Sequence, residues 1–208
     1  TTSAPFSSGQ YNVAMGTEAL ENFTTANDNV AIGYKTGTAI TTGNANVVLG
    51  AYALDASTTP SNNVAIGYRA GGAHTTGDSN VWIGKEAGES GTYHNQCVGV
   101  GAGAIGRLSG SYNTAVGQEA LSGNQGGGAT NSNRNTAVGY YALRQVGEGT
   151  GGSNQENTAI GYQAGDVATT GANNVFVGAH AGGTVTTGGS LVMVGHGADP
   201  SGNTTTGE

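Results

Sequence analysis

Apolar and polar positions recur along this chain at a period close to 17. The phrase at residues 63–70, Asn-Val-Ala-Ile-Gly-Tyr-Arg-Ala, returns in ten further versions. One residue before its glycine the chain is always apolar: Met15, Ile32, Leu49, Ile66, Ile83, Val100, Val116, Val138, Ile160, Val177 and Val194. Three before it stand eight Val and three Thr (Thr114, Thr136, Thr158). β-Branched or apolar residues two apart follow the strand period, so each version predicts a short strand. The position between them is mostly Ala, with Val48, Trp82, Gly99, Phe176 and Met193 as exceptions. Both faces of the strand are low in charge, the pattern of a strand buried on both sides. One side would line an interior; a neighbouring subunit is the simplest cover for the other.

The phrase is held in register by its glycine, which falls at Gly16, Gly33, Gly50, Gly67, Gly84, Gly101, Gly117, Gly139, Gly161, Gly178 and Gly195. The steps between them are 17 five times, then 16, 22, 22, 17 and 17. Such a unit, with one short strand per repeat, points to a solenoid. The glycine marks a positive φ or a close backbone approach. Asn opens the strand in nine of eleven coils: Asn12, Asn29, Asn46, Asn63, Asn80, Asn113, Asn135, Asn157 and Asn174. Stacked coil on coil, these amides predict a ladder, broken where Cys97 and Leu191 take the slot.

Beyond the glycine the pattern changes. Two residues on, the column is polar and varied (Glu18, Lys35, Tyr52, Arg69, Glu86, Gly103, Glu119, Tyr141, Gln163, His180, Gly197) and should face water. Three residues on stands Ala in every coil except Thr36, so that column points into a narrow space. Eight residues on, Thr24, Thr41, Thr58, Thr75, Thr92, Ser109, Thr169 and Thr186 mark a return corner. The expected coil has two short strands and two turns. The fold class is all-β, a parallel β-solenoid of about eleven coils spanning residues 10–200. Residues 1–9 read as an entry segment or partial coil, and 201–208 as an incomplete coil leading to a capping region further on. The two 22-residue steps add five residues each, within 122–134 and 144–156, and should project as neighbouring loops.

Composition narrows the function. The chain has 208 residues, 40 of them Gly, with 9% charged and a net charge of −7. So few cations argue against nucleic acid, and no apolar run approaches the length of a membrane-spanning helix. Cys97 is the only cysteine, so no internal disulfide is possible. Thin coils lined by Ala and Val bury little apolar area per residue, which implies stabilisation by oligomerisation.

The Asn-x-Ala-Ile-Gly core resembles the head repeats of YadA-like trimeric adhesins, left-handed parallel β-rolls of three chains. It is still more similar to repeats of phage tail fibres, Asn-Thr-Ala-Val/Ile-Gly-Tyr-x-Ala, a form carried here by residues 135–142 and 157–164. The resemblance covers nearly all of residues 10–200; the adhesin repeats are shorter than the 17-residue period here. It implies a homotrimer, and an extracellular fibre segment that attaches a virion to a bacterial surface receptor, a glycan or a protein. The alternative it implies is a bacterial adhesin head on the outer cell surface. Tail fibres of this kind often continue into a self-cleaving chaperone.

Candidate chemistry is weighed against this frame. Residues 101–106 match Gly-x-Gly-x-x-Gly, but a dinucleotide site needs a βαβ unit around it. His94 with Cys97 suggests a thiol–imidazole pair, yet no orienting group is evident, and Cys97 reads as a small buried substitute for Asn. His74, His94, His180 and His196 show no metal-ligand spacing, and no cofactor or metal is expected. A glycan-cleaving tailspike would need paired carboxylates; Glu119, Glu148 and Glu156 are the residues to test. A Thr file could order ice, but adjacent strand residues face opposite ways, so a structural corner is the better reading. Tyr34, Tyr68, Tyr140 and Tyr162 follow their glycines directly, and Tyr52 and Tyr141 sit in the outward column. Loops and exposed aromatics carry binding, so the receptor-contact candidates are Tyr141, Arg134, Arg144 and Asn131. No enzymatic activity is expected.

Overall fold

The computed structural model describes residues 8–73, 75–90, 93–123, 132–146 and 155–200. One three-residue strand precedes each motif glycine: β1 (Val13–Met15), β2 (Val30–Ile32), β3 (Val47–Leu49), β4 (Val64–Ile66), β5 (Val81–Ile83), β6 (Val98–Val100), β7 (Thr114–Val116), β8 (Thr136–Val138), β9 (Thr158–Ile160), β10 (Val175–Val177) and β11 (Val192–Val194). They form a single parallel sheet in sequential order. Each pairs residue for residue with the next, as Val64 with Val81, Ala65 with Trp82 and Ile66 with Ile83. The shortened and lengthened steps keep this register: Val98 pairs with Thr114, and Thr114 with Thr136. The chain is thus a parallel β-solenoid, about 50 Å long at the spacing of neighbouring strands.

Two short strands per coil were expected; among the described residues one forms in each. Among the described residues, the far side of the coil carries isolated parallel bridges, Ser61 with Asp78, Thr76 with Tyr93, Asn133 with Gln155 and Thr170 with Thr187. The cause is local. The residue before each Asn slot is left-handed (Ser79 φ 62°, Tyr112 φ 63°, Asn173 φ 62°), so the extended backbone is interrupted within a few residues. Coil-to-coil hydrogen bonds continue all the same, as from Thr24 N–H to the Thr41 carbonyl at 2.8 Å and from Thr41 N–H to the Thr58 carbonyl at 2.9 Å.

The middle residue of each strand points inward. Ala31, Val48, Ala65, Trp82, Ala115, Ala137, Ala159 and Phe176 are fully buried there, facing the equally buried Ala19, Ala53, Ala70, Ala87, Ala104 and Ala120 across the coil. Thr36, the exception in the Ala column, is also buried; its hydroxyl donates to the Gly50 carbonyl at 2.8 Å. The remaining space is filled by alternation. The position four past the motif glycine holds Leu20, Leu54, Ile105, Leu121 and Leu143 in some coils, and Gly37, Gly71, Gly88, Gly165 and Gly182 in others. Glycine stands where a large ring needs room: a Cβ on Gly88 would lie 2.6 Å from the Trp82 indole, and one on Gly165 would lie 2.7 Å from the Phe176 ring.

The motif glycine is required on both expected grounds. Gly67 has φ 136°, and a Cβ on it would lie 2.5 Å from the Gly84 carbonyl oxygen of the next coil. Two residues on, all eleven residues of the outward column are left-handed, with φ between 50° and 66°, although only Gly103 and Gly197 are glycines. Each non-glycine there costs on the order of 1 kcal/mol of backbone strain. The stacked corner, with Arg69 N–H donating to the Ala51 carbonyl at 3.1 Å and Glu86 N–H to Tyr68 at 2.9 Å, holds them in place. None of the column is buried, as expected.

The outer face of the sheet is open in the single chain. Val13, Met15, Ile32, Val47, Ile83, Val116, Val138, Ile160, Val192 and Val194 are exposed on it. Burial on both faces was expected; from β2 onward the inner face is buried, and the outer face of the single chain is exposed or half-buried.

Candidate functional site

Most polar groups of the repeat are committed to stacking. Asn46, Asn63 and Asn80 are buried. The Oδ1 of Asn63 accepts the backbone N–H of Asn80 at 2.9 Å and its Nδ2 at 3.0 Å. The Nδ2 of Asn63 in turn donates to the Gly77 carbonyl at 3.0 Å. The same pattern links Asn12 to Asn29 and on to Asn46, and Asn113 to Asn135, Asn157 and Asn174. Leu191 ends the file by donating its N–H to Asn174 Oδ1 at 3.0 Å.

Cys97 continues the ladder rather than breaking it. Its N–H donates to Asn80 Oδ1 at 3.0 Å, its thiol donates to the Gly110 carbonyl at 3.4 Å, and its sulfur accepts the Asn113 N–H at 3.5 Å. Burial pushes the Cys97 thiol up to about 11, away from the reactive thiolate. His94 is buried too, with Nε2 2.7 Å from the Leu108 carbonyl and its ring 5.1 Å from that of Trp82. Both residues are thus engaged by the coil stack.

A second ladder went unnoticed in the sequence. The Gln10 N–H donates to Asn27 Oδ1, Asn27 N–H to Asn44 Oδ1, Asn44 N–H to Ser61 Oγ, and Ser61 N–H to Asp78 Oδ1. It continues from Asp78 to Asn95, Ser111 and Asn133. Here each coil donates to the next; in the first ladder each coil donates to the one before. The signal was a column of short side-chain acceptors two residues before the Asn slot. The Thr corner behaves likewise: the hydroxyls of Thr24, Thr41 and Thr169 donate to the carbonyls of Thr41, Thr58 and Thr186, each at 2.9 Å. That is a structural corner. Residues 101–106 lie in β-solenoid turns, with no helix after them among the described residues. Thr92, His74 and Glu148 lie outside the described residues.

Aromatic side chains gather at the corner after the strand. Tyr52 packs edge-on against Tyr34 at 5.3 Å and Tyr68 at 6.0 Å. Further along, Tyr140 stacks on Tyr141 at 3.9 Å and on Tyr162 at 5.5 Å. Tyr162 then meets His180 at 5.1 Å, and His180 meets His196 at 6.0 Å. The hydrogen bond with Tyr141 pushes the Tyr140 hydroxyl up to about 12. Among the described residues, no three His, Cys, Asp or Glu side chains group as metal ligands.

Of the receptor candidates, two come together. The Arg144 guanidinium lies 4.4 Å from the Tyr141 ring centroid and pairs with Asp166, Nε to Oδ1 at 2.8 Å and Nη2 to Oδ2 at 3.3 Å. Arg134 stands at the opposite end of β8, paired with Glu156 at 3.0 Å. Asn131 lies outside the described residues, as do the centres of both long loops.

Between the two aromatic groups lies a notch. The sixth coil has Ala102 and Gly103 where its neighbours have Lys85–Glu86 and Gln118–Glu119. A cleft of about 170 Å³ opens over them, walled by those four residues, Glu89 and Arg107. Lys85 pairs with Glu86 at 3.3 Å and Arg69 with Glu89 at 3.2 Å. Among the described residues, Arg107 and Glu119 enter no ion pair.

Fold and surface together define a β-solenoid repeat protein with its side-chain variety gathered at one corner. No family model, curated protein or solved structure matches the chain. Among the described residues, no helix is long and apolar enough to cross a membrane.

Proposed function

We propose that the chain is a structural and adhesive segment of a phage tail fibre, a homotrimer that attaches the virion to a bacterial surface receptor, in particular a glycan. The observation that carries this reading is the outer sheet face. Val, Ile, Leu and Met on it are exposed or half-buried from Val13 to Val194, along the whole sheet, with Thr114, Thr136 and Thr158 set among them. A continuous apolar band of this extent marks a protein interface, and parallel copies of the same rod present the same band to one another. Three copies also repeat every corner three times, so weak receptor contacts gain avidity. The Asn-Thr-Ala-Val/Ile-Gly-Tyr form in β8 and β9 favours the tail-fibre reading. The segment acts by non-covalent binding outside the cell, as reach and grip rather than catalysis.

Light scattering on the folded chain tests the assembly: a mass of three chains is expected, and a stable folded monomer overturns the trimer. Attachment of the labelled chain to a panel of bacterial strains tests the adhesive role; failure on every strain overturns it.

A further inference from the structure

We infer that the cleft over Ala102 and Gly103 binds a single neutral hexose or N-acetylhexosamine ring, and is the point at which the segment grips a glycan; this rests on the attachment reading above. Its volume of about 170 Å³ is below the roughly 300–1,000 Å³ of sites that enclose drug-sized molecules. It therefore suits one ring of a longer chain whose ends leave into solvent.

The walls match sugar hydroxyls, which both donate and accept. Glu119 supplies acceptors, Arg107 supplies donors, and Gln118 supplies both. The signs also select. Lys85 with Glu86, and Glu89 with Arg69, are already paired, which leaves Arg107 and Glu119 to meet the ligand. One charge of each sign favours a neutral polyol over a polyanion, which would face the carboxylates, or a polycation, which would face Arg107.

The floor of the site is preformed, which lowers the ordering cost of binding. Its floor is backbone pinned from both sides: Gly103 N–H donates to the Lys85 carbonyl at 2.9 Å, and Glu119 N–H to the Ala102 carbonyl at 2.8 Å. The notch exists only because this coil lacks the side chains its neighbours carry at those positions. Gly103 has φ 66°, the geometry that Gln163 adopts with φ 53° in the same column. A Cβ on Gly103 would meet only the flexible Glu119 Cγ, at 3.2 Å. Ala102 occupies the slot of Tyr34, Tyr68, Tyr140 and Tyr162. Ala102→Tyr with Gly103→Gln therefore fills the cleft with residues the solenoid already accepts there.

Saturation-transfer NMR with glucose, galactose and N-acetylglucosamine is the test, run on the wild-type chain and the filled double variant. Transfer from at least one sugar to the wild type is expected, with a loss of at least tenfold in apparent affinity in the filled variant at unchanged melting temperature. No transfer from any of the three, or equal binding by both proteins, overturns the site. Should the filled variant melt early, Arg107→Gln with Glu119→Gln replaces it, with the same expected loss and the same overturning result. Attachment to bacteria is measured in parallel. Wild-type attachment that survives filling removes the cleft and leaves the fibre reading standing. Ring binding without attachment to any strain removes the fibre reading and leaves the cleft.

Discussion

The sulfur of Cys97 accepts the backbone N–H of Asn113 at 3.5 Å, in the place where every other interior coil offers an asparagine oxygen. A thiol is a weak acceptor and a weak donor, so this rung is the poorest in the file. Restoring it with Cys97→Asn is expected to raise stability by about 1 kcal/mol, the net worth of a hydrogen bond. The pH dependence is the sharper readout. In the folded chain burial raises the thiol from 9.0 to about 11, so the folded state holds the proton more tightly than the unfolded one. The associated stability is complete below pH 9 and is lost as pH climbs from 9 to about 11. At about 1.4 kcal/mol per pH unit, the full loss approaches about 3 kcal/mol. Denaturant melts at pH 8 and pH 11 should show a larger drop for wild type than for C97N; equal drops would refute the assignment.

Trp82 and Gly88 form a second dependent pair. A Leu at position 88 has no room while the indole is present, since its Cβ would lie 2.6 Å from Trp82. Gly88→Leu alone should cost about 3 kcal/mol or prevent folding, from overpacking and the left-handed φ of 63°. Trp82→Ala alone should cost about 3–5 kcal/mol through the cavity it leaves. Together they rebuild the arrangement that Ala115 and Leu121 have in another coil, both fully buried. The double variant should therefore be at least 2 kcal/mol more stable than the sum of the single effects predicts. Additive losses in urea melts would refute this complementarity.

These two pairs show which parts of the fold the sequence made legible. Asn63, Gly67 and Ala70 could be read directly, because each sits where the stacked geometry accepts almost one residue type. The second ladder escaped notice because Asn27, Ser61, Asp78 and Ser111 share an acceptor oxygen but not an identity. The left-handed corner escaped for a related reason: Glu18, Lys35, Tyr52 and Arg69 carry no signature of positive φ, which the coil stack imposes. The two-strand expectation misses the turn before each Asn slot, whose left-handed residue interrupts the extended backbone. At the candidate site, Tyr141 and Arg144 were legible as types in a stretched coil. The notch was not, since Ala102 and Gly103 define it by what they lack.

Tyr141 and Arg144 lead to a separate prediction about the long coils. The guanidinium covers one side of the Tyr141 ring while Tyr140 stacks at 3.9 Å, and the bidentate pair with Asp166 ties the corner to the next coil. Arg144→Gln removes both contacts. It should lower stability by about 1 kcal/mol, the combined scale of a partly exposed ion pair and a cation–π contact. Asp166→Asn should lose less, because the cation–π contact remains. If the corner is also a receptor contact, Tyr141→Ala should reduce bacterial attachment further than its effect on melting explains. Melting curves in which R144Q and D166N coincide with wild type would show that the pair contributes nothing.

The outer sheet face supports the strongest test of assembly. Val116 and Val138 are exposed and pair as neighbours in β7 and β8. Val116→Lys with Val138→Glu places opposite charges side by side on that face. Within one chain the two attract across the ladder, as opposite cross-strand pairs do, and contribute up to about 1 kcal/mol. Across an interface the same charges must shed their water, at a cost of several kcal/mol per ion that their mutual attraction only partly offsets. The single chain should therefore stay folded while the proposed trimer loosens or separates. Sedimentation equilibrium with circular dichroism reads both outcomes at once. A folded, lighter species is expected. A trimer of unchanged affinity would mean that this face stays in water, and the copies would have to meet elsewhere.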